Sequence, residues 1–395
     1  MKILVVCQYY YPEPFRINDI CEELVNRGHK VTVVTGEPNY PDGEIYSGYE
    51  NHKHSDEMLN GVTVHRCPII PRKTGTLNRL LNYYSYPFHS KRYIFKLPNE
   101  YDVVLINQLS PVMMAKAGIA YGKKWKKPVV LYCLDLWPES LVAGGIKRGS
   151  LPYQYFRSVS RRIYRSVDRI LITSKDFKNH LISEFNIIEN KISALPQYAE
   201  SVFDYIEPRK KDGTYHLLFA GNIGTAQSVD TIIEAAERIA SAPVVFHIVG
   251  SGIELDRLKR MAGNNVVFHG RKPLEEMPRL YAMADAMLIT LQSDPILSMT
   301  LPGKVQSYMA VGRAIIGAAD GETKMVIEEA NCGYCGPAED AEELAKNIIR
   351  FISSEEKEQM GLNARKYYEE HFERRKCVDK LEKELISAVK MQGAV

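Results

Sequence analysis

Apolar positions along the chain fall into two alternating patterns. Ile3–Val6 is a short unbroken apolar run, the pattern of a strand buried on both faces. Ile17, Ile20, Cys21, Leu24 and Val25 then recur at helical spacing, and Gly28 stops the helix they predict. The β-branched run Val31–Thr35 predicts a second strand. Val62–Arg66, Val103–Ile106, Val129–Leu134 and Ile170–Thr173 continue the series, before a helix from Lys175. The pattern weakens over Gln197–Tyr215, where Glu207-Pro208-Arg209-Lys210-Lys211-Asp212-Gly213 reads as a linker. Strands restart at Leu217–Phe219, Val244–Val249, Val266–His269, Met287–Thr290 and Ala314–Gly317. Ser228 is expected to cap a helix whose buried face is Val229, Ile232, Ile233, Ala236 and Ala240. After Asp340 the chain reads as helical nearly to its end. Repeated strand–helix units imply parallel sheets covered on both faces. The expected fold class is therefore α/β, with two doubly wound domains of similar size. Ligands of such folds sit at the carboxyl ends of the strands, often between domains.

Composition narrows the class. The 395 residues have 45% hydrophobic and 25% charged side chains, which excludes collagen, disorder and a disulfide scaffold. No apolar run approaches the ~20 residues of a membrane span. The apolar run after Met1-Lys2 is too short for a signal-peptide core, so a cytoplasmic protein is expected. Seven scattered cysteines fit reduced thiols. Cys332-Gly-Tyr-Cys335 lacks a second ligand pair for zinc.

Charge is unevenly divided. Residues 1–200 hold 27 Lys and Arg against 19 Asp and Glu, and the remainder 24 against 29. Pro71–Lys96 carries Arg72, Lys73, Arg79, Lys91, Arg92 and Lys96 without one acidic residue, interleaved with leucines and aromatics. Basic side chains beside exposed aromatics suit an anionic membrane surface. The competing reading is a helical hairpin whose aromatics are core. Nucleic acid is not expected, because no recognition motif accompanies the charge.

The loops limit the chemistry. The first strand leads into Gln8-Tyr-Tyr-Tyr-Pro-Glu-Pro-Phe-Arg-Ile-Asn18, not the glycine-rich turn of a dinucleotide oxidoreductase. No P-loop, Gly-x-Ser-x-Gly elbow or Asp-x-Asp pair is present. The second half is richer in phosphate-compatible turns. Ala220-Gly221-Asn222-Ile223-Gly224, Gly250-Ser251-Gly252 and Gly270-Arg271-Lys272-Pro273 each follow a predicted strand. Asp294 to Lys304 leads into Val305, Tyr308, Met309 and Gly312 at helical spacing. Lys304 then sits at the positive end of a helix, which is unfavourable unless an anion binds there.

These segments together resemble the retaining glycosyltransferases of family 4. The similarity is greatest to the bacterial N-acetyl-L-fucosamine transferase branch of surface-polysaccharide synthesis. It is carried by Pro12–Asp19, Arg27–Val33, Pro38–Gly43, Asp135-Leu-Trp-Pro-Glu-Ser140, Ala220–Gly224 and Pro302-Gly-Lys304 through Gly312. The resemblance implies the GT-B fold, two Rossmann-like domains facing across a cleft. Residues 1–198 would bind acceptor, 199–214 link, and 215–372 bind the nucleotide sugar, with 373–395 crossing back to the first domain. It implies a UDP-sugar donor, a polyprenyl-diphosphate-linked glycan acceptor, no metal and no cofactor. The enzyme would work at the inner membrane face in O-antigen, capsule or exopolysaccharide synthesis. Gly221, Asn222 and Gly224 match the diphosphate turn, with Gln227 and Gly250 beside it. Arg271 and Lys272 match the nucleobase edge. Thr300, Leu301 and Lys304 match the phosphate turn. Asp135 matches a polar residue close to the reacting sugar, and Glu139 is its acceptor-side companion. Phe15, Arg16 and Asn18 are expected on the acceptor-side loop.

Two departures qualify the match. The family's paired glutamates would fall at Met299 and Ser307, neither of them acidic. Its Arg and Lys near the diphosphate turn would fall about Asn222 and Gln227, neither of them charged. The alternatives are a GDP-sugar or UDP-hexose donor, a GT-B epimerase and a non-catalytic glycan-binding partner.

Overall fold

A computed structural model describes residues 1–41, 43–71, 75–143, 145–210 and 212–393. The chain divides into two compact units. The first comprises Met1–Thr173, Phe177–Leu195 and the segment from Val378 onward; the second comprises Ser174–Asp176 and Pro196–Cys377.

The first unit is built on an eight-stranded sheet. Its strands are β1 (Lys2–Val6), β2 (Lys30–Gly36), β3 (Asp56–Leu59), β4 (Val62–Cys67), β5 (Val103–Gln108), β6 (Val129–Cys133), β7 (Arg169–Ile172) and β8 (Ile192–Ala194). The order is β3-β4-β2-β1-β5-β6-β7-β8, parallel except for β3 against β4. β5 and β6 are buried at every position, as strands covered on both faces must be. The strand order reverses beside β1, which leaves the loop after it at the switch point where such sheets bind ligands. The final helix, Arg374–Gly393, belongs to this unit from Val378 onward. Arg27 donates to Asp379 at 2.6 Å and to Glu382 at 2.9 Å, and His29 meets Glu382 at 2.7 Å.

The second unit holds a six-stranded, all-parallel sheet. Its strands are β9 (Tyr215–Ala220), β10 (Val244–Val249), β11 (Val266–Gly270), β12 (Ala286–Thr290), β13 (Ala314–Ala318) and β14 (Gly333–Gly336), ordered β11-β10-β9-β12-β13-β14. Alternating residues feed two apolar cores. Leu218 and Met287 face one; Leu217, Phe219 and Phe246 face the other. The switch point lies between β9 and β12, so the Gly221 turn stands at it. Before β9, the buried Arg313 holds the incoming chain by donating to the carbonyls of Ile206 and Glu207.

Three expectations change. β3, β8 and β14 have no counterpart in the sequence reading, and β14 takes in Cys335 of the Cys-x-x-Cys pair. Both of those cysteines are free thiols. Pro71–Lys96 is not a hairpin: it contains one helix, Thr76–Ile94, with Pro87 inside it. Ser228 does not cap its helix. It has φ +42, and its hydroxyl pairs with Asp230 and Thr231 side chains instead.

Candidate functional site

In the second unit, β9 ends in a turn shaped by close backbone approach. Gly221 has φ +153, and a Cβ there would lie 2.7 Å from the Lys304 amine. A Cβ at Gly250 would lie 1.8 Å from the Gly221 carbonyl, and one at Gly252 would lie 2.2 Å from that of Ile223. The close approach of two turns is reason enough for a glycine at position 250. Tyr308 fixes the end of β9. Its hydroxyl accepts from the Ala220 N–H at 3.0 Å and donates to the Ala220 carbonyl at 3.2 Å.

Lys304 belongs to the helix Gly303–Ala310 and reaches back under this turn. Its amine lies 3.9 Å from the centre of the Phe219 ring and donates to the Gln227 side-chain carbonyl at 2.5 Å. Loss of solvent lowers its pKa to about 7. Gln227 is drawn into place from its backbone too, which accepts from the Thr290 hydroxyl at 2.6 Å. An incoming anion would favour the charged amine, already seated at a helix start.

The neighbouring predicted residues behave differently from one another. The Thr300 N–H is committed to Leu297 at 3.0 Å and its hydroxyl to Ile296 at 3.0 Å, so its amide is not available to a phosphate in this arrangement. The Leu301 side chain is core. Ser307 is buried, and its hydroxyl donates to Glu200 at 2.8 Å. A carboxylate thus stands beside position 307 although the sequence has none there. Arg271 and Lys272 are exposed, as is Asn222. Gly224 would place a Cβ 2.8 Å from the Asn222 side chain.

In the first unit, Asp135 follows β6. Burial pushes its pKa up to about 6, although the neighbouring Ser140 and Ser110 hydroxyls and the Leu136 N–H oppose the shift. Its backbone is anchored by the Gln108 amide, which donates to the Asp135 carbonyl at 2.9 Å. Trp137 is fully buried and donates to the Ser110 hydroxyl at 2.6 Å. A carboxyl group poised near neutrality is suited to moving or holding a proton. Glu139, expected as its acceptor-side companion, has surroundings of its own. It is 2% exposed and turned into its own network with Tyr153, Arg148 and His180.

The loop after β1 is organised by Glu13, which the sequence reading passed over. Its buried carboxylate accepts from the N–H groups of Tyr10, Asn39 and Tyr40, tying this loop to the one after β2. Asn18 was expected to face a ligand, but its amide is spent inside the loop, on Tyr11 and Glu13. Phe15 stacks on Tyr9 at 5.2 Å and leans on Tyr40 at 5.3 Å. Arg16 is half-buried at the start of the helix Arg16–Asn26. Arg79, Lys91 and Arg92 are exposed on the helix Thr76–Ile94; Arg72 and Lys73 lie outside the described residues.

Residues 16–197 match the family described as Glycosyltransferase Family 4, and residues 204–367 match Glycosyl transferases group 1. The chain carries two glycosyltransferase domains. Over 349 residues it is 27% identical to WcaI of Escherichia coli (strain K12), a protein named as a colanic acid biosynthesis glycosyl transferase. The alignment covers 82% of this chain and 85% of that one. Sucrose-phosphate synthase from Thermosynechococcus elongatus shares the fold, with a TM-score of 0.74 and 15% identity over 98% of this chain and 99% of that one. HepE from Anabaena does so with a TM-score of 0.69 and 16% identity, over 98% of this chain and 100% of that one. The fold is thus GT-B, with two Rossmann-like units. The supporting residues hardest to find from sequence are Glu200 and Tyr308, whose side chains meet Ser307 and Ala220 from far along the chain.

Proposed function

We propose that this glycosyltransferase moves a sugar of the N-acetylhexosamine type, such as N-acetyl-L-fucosamine, from a UDP-sugar to a lipid-linked glycan. It would do so without a metal, with retention of configuration, in surface-polysaccharide synthesis. The observation that carries the reading is the Lys304 amine, held beneath the Gly221 turn with no carboxylate hydrogen-bonded to it among the described residues. A diphosphate supplies the counter-charge that this site otherwise lacks. HepE, which shares the fold, has been solved with UDP and with UDP-glucose.

In this reading the acceptor hydroxyl attacks the anomeric carbon from the leaving-group side. The bond from that carbon to the diphosphate oxygen breaks, and the hydroxyl proton passes to that oxygen. Lys304 and the start of its helix stabilise the departing charge, and Asp135 orients the acceptor or steadies the oxocarbenium-like sugar. A lipid-linked acceptor requires access to a membrane. Leu80, Leu81, Phe88 and Phe95 are exposed on or just after the helix Thr76–Ile94, beside Arg79, Lys91 and Arg92. The Arg92 guanidinium lies 5.4 Å from the Phe88 ring centre. Such a surface suits an anionic bilayer at the cytoplasmic face.

The test is UDP release from a panel of UDP-N-acetylhexosamines, with bacterial membrane extract as acceptor. Release that needs both sugar donor and membranes supports the proposal. Release with no donor in the panel, with or without membranes, contradicts it.

A further inference from the structure

The first unit contains a polar pocket of about 260 Å³. That is just below the roughly 300–1,000 Å³ of small-molecule sites, and suits one monosaccharide rather than a longer glycan. Its wall is made by two helices, Leu151–Arg165 and Asp176–Phe185, and by the chain just after Asp135.

Glu139 is its buried anchor. One carboxylate oxygen accepts from the Tyr153 hydroxyl at 2.8 Å, and the other from Arg148 at 2.9 Å. Arg157 donates to Glu184 at 2.8 Å on another side. His180 is nine-tenths buried and also lines the pocket. Its Nε2 lies 3.4 Å from Glu139 but makes no hydrogen bond. Burial lowers the pKa of this imidazole, which keeps it neutral.

The charges decide the ligand class. Two guanidinium groups are matched by two carboxylates, so the lining has no net charge to offer. An anion such as phosphate or a uronic acid would face Glu139 and Glu184. An uncharged polyol meets the remaining N–H donors of Arg148 and Arg157, and acceptors from the carboxylates and the Tyr153 oxygen. The Gln154 amide offers both kinds of group.

We propose that this pocket binds one uncharged sugar residue of the acceptor glycan, which rests on the transferase reading above. Glu139 is then a binding group for a sugar that does not react, four residues beyond Asp135.

Saturation-transfer NMR on the full chain tests this, using methyl glycosides of hexoses, 6-deoxyhexoses and N-acetylhexosamines, with glucuronate and inorganic phosphate as rivals. Gln154 is exposed on its helix, so Gln154→Trp fills the pocket without entering the core. At least one neutral glycoside should bind the unmodified protein, and Gln154→Trp should weaken it about tenfold or more. Gln154→Ala should weaken it several-fold. UDP affinity, read in parallel, should be the same in all three proteins. Preference for glucuronate or phosphate overturns the proposal. So does equal binding by Gln154→Trp, or absence of glycoside binding while UDP still binds. Failure of the unmodified protein to bind UDP instead overturns the transferase reading itself.

Discussion

Lys304 and Asp135 stand in different units, and the same cause moves them in opposite directions. Burial lowers the lysine amine to about 7 and raises the aspartic acid to about 6. Each is poised near neutral pH because its supporting residues offer hydrogen bonds but no opposite charge at bonding distance. Gln227 and the Phe219 ring serve Lys304; Ser110, Ser140 and the Leu136 amide serve Asp135. A salt bridge would have pinned either group in its charged form. Elsewhere the protein does make such pairs, as with Arg27 and Glu382. Glu13 in the first unit shares the pattern, its buried carboxyl pushed up to about 7 while it holds three backbone N–H groups, so burial without a salt bridge narrows the search for chemistry and motif position completes it.

The sharpest way to break this comparison is Asp135→Asn. The substitution keeps size and removes the titrating group. Turnover should fall about 10²–10⁴-fold, while calorimetric UDP affinity stays unchanged. Near-normal turnover would remove Asp135 from the reaction. Lys304→Met should be next in size. It keeps the aliphatic stem over Phe219 and deletes the charge. UDP binding should weaken about 10–100-fold, as for a lost charge-assisted hydrogen bond, with uridine barely affected. An equal loss for both ligands would take Lys304 out of the phosphate site.

pH separates the two groups without mutation. Asp135 is ionised above its pKa of about 6, so turnover at saturating donor should decline as pH falls through 6. Lys304 is mostly neutral above its pKa of about 7, and a bound diphosphate would recharge it. UDP affinity should therefore fall as pH rises beyond 7, by at most about tenfold per unit for one linked proton. Lys304→Met should flatten the second trend and leave the first. The smallest effect is expected for Tyr308→Phe, which frees the end of β9 from the tyrosine hydroxyl. Melting should shift by an amount worth about 1 kcal/mol, with UDP affinity reduced only a few-fold.

Much of the fold was legible because its central strands are unbroken apolar runs separated by glycine or polar turns. The strands missed are those without that signal. Asp56–Leu59 is a polar edge strand, and Gly333–Gly336 begins and ends in glycine. The turn after β9 was legible through its glycines, but the reason for one of them was not. Gly250 answers to the neighbouring Gly221 turn, a contact that only the tertiary structure reveals. Glu200 and Glu13 were invisible for a related reason. A carboxylate that serves a distant hydroxyl or three backbone amides leaves no spacing pattern in the chain. Glu139 was picked out by its motif, but its partners Tyr153 and Arg148 were not, because motif spacing cannot tell which way a buried side chain turns.

The most direct test of the account is calorimetric titration with UDP at pH 8, without added metal, in two buffers of different ionisation enthalpy. The account predicts binding of UDP well above uridine and GDP, with net uptake of protons that disappears in Lys304→Met. Failure to bind UDP, or binding with no proton uptake in the unmodified protein, would contradict it.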